Sequence, residues 1–362
     1  MLRVAIDVGP THGRRTGIGN AVAWTVDALA EREDLELRRY VTSARARLRS
    51  PEQRLPMPAA VALRLWTHRS VPMDRWLGEP DLVHGTNYVV PPTRCPRVVS
   101  VYDCWFLEHP EDAEPDVLRA AAVLRRSVAD GAHVVTSSDA TTRRVRELLD
   151  TDRVRTVLLG PPPADGPEPV TDAPSGLPQL DQFILALGTI ERRKNLPTLV
   201  DAFGRLAREH AAVRLVIAGA AGNDVAAVDR AIARLSPEIA ERVVRTGIVD
   251  SATKRWLLTH ARALAYPSLD EGFGFPILEA QQLGTPVVAS TAGSIPQIAG
   301  AAALLSPARD VEALAANLFW IVDNDEMNAK LVRRGHANVE RFSWTSTAAG
   351  YHAMYEDIVA DA

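Results

Sequence analysis

Short apolar runs, each the length of a buried strand, alternate with longer stretches of helical periodicity, and the alternation occurs twice. The first series predicts strands at 2–7 (LRVAID), 82–84, 98–102, 134–136 and 154–158, with helices at 20–30, 116–129 and 138–149. The second restarts at 183–188 (FILALG) and predicts strands at 214–218, 243–246, 263–266, 286–289 and 303–305. Strands apolar on both faces and separated by helices point to parallel sheets covered on both sides. The expected fold class is α/β, with two Rossmann-like, doubly wound domains.

The two series are divided by a segment that can join neither sheet. Seven of the 25 prolines fall between residues 160 and 180. Without apolar periodicity, such a stretch reads as an interdomain linker. The expected organisation is an N-terminal domain at 1–160, a Pro-rich linker at 161–180 and a C-terminal domain at 181–342. An amphipathic helix over 343–359 carries Trp344, Tyr351 and Tyr355 close to the end of the sequence. Doubly wound sheets bind ligands at the carboxyl ends of their strands. With two facing domains, the site is expected in the cleft between them.

Composition narrows the classes of function. The 362 residues are 46% hydrophobic and 24% charged, an ordinary globular balance, with no uncharged apolar run near the roughly 20 residues of a membrane helix. The formal net charge is −4 and neither half is basic, so no nucleic-acid partner is expected. Two cysteines, Cys95 and Cys104, make neither a disulfide framework nor a four-ligand zinc site. The opening MLRVAIDVG runs straight into a strand and reads as no secretion signal, so a cytoplasmic location is expected. The basic residues are 38 arginines and three lysines, a bias resembling high-GC bacterial coding.

Two segments carry recognisable chemistry. In the first, a strand ends at Tyr266, a glycine-bearing loop runs from Glu271 to Phe275, and Pro276 suits a first helical position. Gly272 and Gly274 let the backbone N–H groups from Gly272 through Phe273 to Phe275 approach a ligand, and a helix N-terminus favours an anion. Glu271 and Glu279 flank that anion site. They cannot bind phosphate, but they can accept hydrogen bonds from sugar hydroxyls. The second segment, Leu187-Gly-Thr-Ile-Glu-Arg-Arg-Lys-Asn-Leu, puts Gly188 at a strand end. It places Arg192, Arg193 and Lys194 where a helix is expected to open. Arg offers a planar fork and Lys a point charge, and together they can neutralise a diphosphate. Phosphate beside hydroxyl-reading carboxylates is the requirement of a nucleotide-sugar.

The pattern E-G-F-G-x-P-x-x-E-A, with Glu271 and Glu279 separated by seven residues, resembles the E-x7-E motif of retaining GT-B glycosyltransferases of family 4. The G-T-x-E-x-R-K-N run is similar to that of a mannosyltransferase-containing branch. Thr16-Gly-Ile-Gly, His84-Gly-Thr-Asn-Tyr, Thr136-Ser-Ser and Arg341-Phe-Ser-Trp344 extend the resemblance over nearly the whole chain. It implies that Glu279 binds the donor ribose and Glu271 the transferred sugar. Arg193, Lys194 and the Gly272–Phe275 amides would hold the diphosphate. Ile248, Val249 and their loop would contact the base, largely through backbone. Gly17 and Gly19 would approach diphosphate and acceptor from the acceptor-side first domain, onto which the final helix, 343–362, would cross back. Three positions depart from the pattern. Tyr102-Asp103 stands where the family often has His-Asp, which leaves Asp103 as a catalytic candidate. Thr189 replaces an Arg common after the glycine, and Pro296-Gln297 replaces Pro-Glu.

The implied reaction is transfer of a hexosyl group from a nucleotide-diphospho-sugar to a polysaccharide, glycolipid or natural-product hydroxyl. Neither a cofactor nor a metal is expected. Asp323-Asn-Asp325 matches a metal-binding D-x-D but lies in a helix-rich region. A nucleotide-sugar epimerase or hydrolase of the same fold and a non-catalytic sugar-nucleotide sensor are the alternatives. Arg45, Arg47, Arg49, Arg54, Arg64 and Arg69, interleaved with Leu63, Leu65 and Trp66, read as a solvated helix face. Weak peripheral association with the inner membrane surface is the functional alternative.

Overall fold

The computed structural model describes residues 1–13, 16–43, 46–163, 174 and 180–362. Most of the expected linker, together with Arg45, lies outside the described residues. The chain forms two compact units, one of residues 1–160 with 342–362 and the other of residues 161–341. Among the described residues no helix is long and apolar enough to cross a membrane.

The first unit holds a seven-stranded parallel sheet. Its strands are β1 (Leu2–Asp7), β2 (Leu35–Val41), β3 (Gln53–Arg54), β4 (Leu82–Gly85), β5 (Arg97–Val101), β6 (His133–Thr136) and β7 (Val154–Thr156). Their spatial order is β3-β2-β1-β4-β5-β6-β7. The second unit holds β8 (Gln182–Leu187), β9 (Val213–Ala218), β10 (Val243–Gly247), β11 (Ala263–Tyr266), β12 (Val287–Ser290) and β13 (Ala303–Ser306), ordered β10-β9-β8-β11-β12-β13. In both sheets the winding reverses beside the first strand, between β1 and β4 and between β8 and β11. That reversal opens a crevice at the carboxyl edge.

Alternate residues of β8 fill two different cores. Phe183 and Leu185 pack with Trp256, Ile277 and Tyr266 on one face, while Ile184 and Ala186 pack with Phe203, Leu199 and Leu318 on the other. Full burial of each large side chain contributes about 1.5–3 kcal/mol.

Two strands differ from expectation. β2 (LELRRYV) carries Glu36, Arg38 and Arg39, and these charges conceal its strand character in the sequence. It lies one strand from the sheet edge with its middle residues only partly buried, where charge is tolerated. β3 has two residues, too few for any periodicity. The first helix begins at Gly17 rather than at residue 20, because Thr16 caps it by accepting a hydrogen bond from Gly19 N at 3.4 Å.

The last helix, Trp344–Ala360, packs on the first unit. Trp344 lies 5.7 Å from Trp24, ring to ring, and covers Gly160, where a Cβ would lie 2.6 Å from the indole. Deeper in, His84 at the end of β4 bonds Tyr355 Oη at 2.7 Å and Ser100 Oγ at 2.8 Å. Burial lowers the His84 pKa to about 3, so the neutral ring ties the helix to the sheet. On the helix Ala59–Trp66, Ala62 and Trp66 enter the core, with Leu63 and Leu65 packed against it. Leu63, Leu65 and Trp66 therefore face the protein, whereas Val61 on the same helix is 52% exposed.

Candidate active site

Four elements of the second unit converge at its carboxyl edge. The turn after β8 brings Arg193 and Lys194, the loop after β11 brings Glu271, the helix Phe275–Gln282 brings Glu279, and the helix Ser251–His260 brings Lys254. The three-cation run does not itself open the following helix. Arg192–Lys194 form a separate 3-10 turn that ends at Asn195 in the left-handed region (φ 54°), and the α-helix starts at Leu196. Asn195 is buried, and its Nδ2 donates to Pro267 O at 3.0 Å and to Ala308 O at 2.5 Å. Leu269 N donates to Arg193 O at 2.8 Å. The cation turn is thereby clamped onto the loop after β11.

The clamp makes an ion cluster. Glu271 Oε2 accepts from Arg193 Nη1 at 2.7 Å and Oε1 from Lys194 Nζ at 2.6 Å. Arg193 Nη1 also donates to Asp270 O at 3.1 Å. Lys194 Nζ donates to Tyr266 Oη at 2.9 Å. Burial would raise the Glu271 pKa, but the charges of Arg193 and Lys194 outweigh it and lower it to about 2. Burial pulls Lys194 down, and Glu271 opposes that shift. Two cations share the Glu271 carboxylate, and Arg193 Nη2 also lies 3.6 Å from Glu191 Oε2, so the charges of the cluster are close to balanced.

The glycine loop is held in shape from the far side. Ser294 donates through N to Glu271 O at 3.0 Å and through Oγ to Phe273 O at 2.8 Å. Gly293 (φ +55°) makes this approach possible, since a Cβ there would lie 2.7 Å from Glu271 N. Gly274 takes φ +104° and leads into the helix Phe275–Gln282 without a side-chain cap, with Pro276 in the first turn. Gly272 and Phe273 are buried, and Phe273 meets the edge of Phe275 at 5.0 Å. The positive end of the helix dipole thus lies in the same segment as the ion cluster. Gly188, at φ +134°, precedes the cation turn and lets Lys194 lie close, its Cε 3.4 Å from where a Cβ would be.

Glu279 lies one turn into that helix, and its Oε1 accepts from Lys254 Nζ at 2.5 Å. The Lys254 side chain is 36% exposed. A pair this exposed contributes about 0.2–1 kcal/mol, so it rearranges at little cost. Nearby, Asp250 caps the helix Ser251–His260 through Thr253 N at 2.7 Å. Ile248 is 55% exposed, whereas Val249 is partly buried and packs against the core.

The remaining candidates lie in the first unit. Gly17 is exposed, and the amide of Gly19 is engaged by Thr16 Oγ1. Asp103 follows β5, is partly buried and accepts from Trp105 N at 3.2 Å. Among the described residues no group of three or more His, Cys, Asp and Glu is gathered as a metal site. Asp323 and Asp325 flank the junction of two helices, where His210 and Arg262 engage them. No role was legible in the sequence for Tyr266, Asn195, Lys254 or Gly293. Their partners are remote in sequence, 72 residues away for Lys194 and Tyr266, and the one available signal was that Asn195 and Tyr266 border the two motifs.

Residues 181–324 match the family model "Glycosyl transferases group 1". The chain is 30% identical over 275 residues to O-antigen chain mannosyltransferase B of Escherichia coli, covering 73% of this chain and 71% of that protein. The chain belongs to the group 1 glycosyltransferases. Sucrose-phosphate synthase from Thermosynechococcus elongatus has the same fold as this glycosyltransferase, with a TM-score of 0.73 at 19% identity over 100% of both chains. HepE from Anabaena, solved with UDP and glucose, matches 99% of the transferase with 100% of its own chain, at a TM-score of 0.68 and 14% identity. The fold is GT-B, with two Rossmann-like domains.

Proposed function

We propose that the chain transfers a hexosyl group from a nucleoside-diphosphate sugar to an acceptor hydroxyl, with retention at the anomeric carbon. The observation that carries this reading is the Arg193–Glu271–Lys194 ion cluster beside the loop that opens the helix bearing Glu279. As the anomeric bond breaks, negative charge collects on the departing diphosphate. Donors already fixed toward that charge lower the barrier most. Arg193 and Lys194 supply them, and Tyr266 holds the Lys194 ammonium in place. Glu271 receives one hydrogen bond on each oxygen from the cations and keeps lone pairs for hydroxyls of the transferred sugar. Glu279 gives up Lys254 for the ribose diol. Ile248 and the Val249 backbone border the base. The acceptor hydroxyl attacks on the face the diphosphate leaves, and the leaving phosphate takes its proton. Asp103 stays a candidate for orienting that hydroxyl.

The mannosyltransferase relative supports a mannosyl group, and the HepE complex with UDP supports a nucleoside-diphosphate donor. A thermal-shift panel of GDP-, UDP-, ADP- and dTDP-sugars identifies the donor. Mass spectrometry of that donor with the protein, with and without acceptor, then tests transfer. An epimer or free sugar formed without acceptor would replace this reading with epimerase or hydrolase chemistry, and donor binding without turnover would indicate a sensor. Because Arg193, Lys194 and the helix dipole neutralise the diphosphate, turnover should survive EDTA. Loss of activity restored by magnesium or manganese would overturn the metal-free account.

A further inference from the structure

Lys194 stands between two points at which its turn is fastened to the loop after β11. One position before it, Arg193 O accepts from Leu269 N at 2.8 Å. One position after it, Asn195 Nδ2 donates to Pro267 O at 3.0 Å. The same nitrogen donates to Ala308 O at 2.5 Å, in the loop that follows β13. Asn195 Oδ1 accepts from Thr198 Oγ1 at 2.7 Å, in the first turn of the next helix. One buried side chain thus joins stretches of chain 72 and 113 positions away. The position makes two demands at once. Its backbone is left-handed, at φ 54° and ψ 37°, which favours glycine and, among residues with a Cβ, asparagine and aspartate. Its side chain also supplies N–H donors to two carbonyl oxygens and an acceptor to a hydroxyl. Glycine meets the first demand alone. Aspartate has no N–H to donate and would set a charge against two carbonyl oxygens in a buried space. Asparagine meets both.

We propose that Asn195 is a positioning residue of the transfer reaction: by holding the turn on the far side of Lys194, it sets where the ammonium stands as charge builds on the departing diphosphate. The inference rests on the transferase reading above and adds a residue to its machinery. Lys194 Nζ reaches Tyr266 Oη and Glu271 Oε1, which border the same stretch that Pro267 and Leu269 belong to. Without the Asn195 amide the ammonium keeps its charge and these partners, but it hangs from a turn fastened on one side only. A group that acts mainly in the transition state is sensitive to such slack, and a misplacement of about 1 Å costs on the order of 10²-fold in rate. Ground-state binding is shared among Arg193, Glu279 and the glycine loop, so it is less affected.

The experiment uses the full chain with the donor identified by the nucleotide-sugar panel. Asn195→Gly keeps the left-handed backbone and removes every side-chain bond, whereas Asn195→Asp keeps the shape and removes the N–H donors. Both should lower kcat by about 10- to 100-fold. Affinity for the nucleoside diphosphate, read by calorimetry, should change by no more than about 3-fold. Thr198→Val removes only the bond to Oδ1 and should leave kcat near that of the parent. In a Lys194→Ala background, Asn195→Gly should change kcat by no more than about 2-fold, because its effect runs through the ammonium. A merely structural residue would not show that dependence. Circular dichroism checks folding, and either Asn195 variant alone decides the point. A kcat near that of the parent in both would overturn the proposal. So would a loss of nucleotide affinity as large as the loss of kcat, or an Asn195→Gly effect equally large without Lys194. A parent that transfers no sugar defeats the transferase reading and this inference with it, whereas an active parent with equally active Asn195 variants defeats the positioning role alone.

Discussion

The two sheets share a winding order and place opposite chemistry at the same edge. At the reversal between β8 and β11 lie two cations, a carboxylate and a tyrosine, each engaged within hydrogen-bond distance. At the reversal between β1 and β4 lie the aromatic and aliphatic walls of a cavity, with the carboxyls of Asp7 and Asp116. The consequence for the carboxyls is a shift in opposite directions, Glu271 down to about 2 and Asp7 up to about 7. Burial pushes both up, and the sign is reversed only where Arg193 and Lys194 face the group. Two sheets of the same winding order thus carry different chemistry at the same edge, and a few side chains make the difference.

The largest expected effect breaks the charge balance of the second unit. Glu271→Gln leaves Arg193 and Lys194 buried without their shared counterion and should cost about 3 kcal/mol in stability, read by urea unfolding. A nucleoside diphosphate should recover more stability in this variant than in the parent, because it replaces the lost negative charge. Equal ligand-induced stabilisation in both proteins would show that the diphosphate does not sit at the cluster.

Lys194→Ala should lower kcat by about 10²–10³ with a smaller change in donor affinity, since its charge matters most as the leaving oxygen becomes negative. Lys194→Arg should rescue poorly, because a planar fork cannot take the ammonium's place under the Tyr266 hydroxyl. Steady-state kinetics, with circular dichroism as the folding control, decides this point. A kcat near that of the parent in the alanine variant would misplace the leaving group.

Glu279→Ala should weaken nucleotide binding by about 10- to 150-fold, the value of a lost charge-assisted pair of about 1.5–3 kcal/mol. Calorimetry on the folded variant reads it. Lys254→Met should leave affinity within a few-fold, since its exposed pair with Glu279 is weak.

The smallest effect, spread over several pH units, sharpens the contrast most directly. Glu271 has a folded pKa near 2 against an ordinary 4.5, so its stabilisation is complete above about 4.5 and fades as pH falls toward 2. Asp7 has a folded pKa near 7 against 3.8, so its contribution is complete below about 3.8 and is lost as pH rises through 7. Tyr40 and Asp116 line the same cavity and supply no cation to offset the Asp7 charge. Buried His84 acts in the opposite sense, its stabilisation growing as pH rises toward 6.5. Thermal melts between pH 5 and 8 are therefore read as differences: Asp7→Asn should gain stability relative to the parent as pH rises, while Glu271→Gln should show no such trend.

Much of the second unit was legible because its strands are near-continuous apolar runs. FILAL, RLVIA and LAY can satisfy their burial only in a sheet covered on both faces. The glycine loop was legible for a similar reason, since Gly-x-Gly followed by Pro276 limits the backbone to a turn that opens a helix. The first unit was less so. β2 carries three charges, and Asp7 ends LRVAID as any polar residue can end a strand. Nothing local marks Asp7 as lining a cavity with Trp66, 59 positions along the chain.

Periodicity, turn chemistry and net charge are properties of neighbouring residues, so the amino-acid order was enough to specify the alternation of strand and helix and the placement of cations and glutamates after strand ends. Which of those charges meet is a different matter. Glu271 reaches Arg193 across 78 positions and Lys194 across 77, and the contact exists because β8 and β11 became neighbours in the sheet. Ion pairing acts over a few ångströms, and chain separation carries no information about such distances until the strands have chosen their order. The pairing of the cluster, the Asn195 clamp and the cavity around Asp7 therefore belong to the folded arrangement, in which residues far apart in sequence come to share one low-dielectric space.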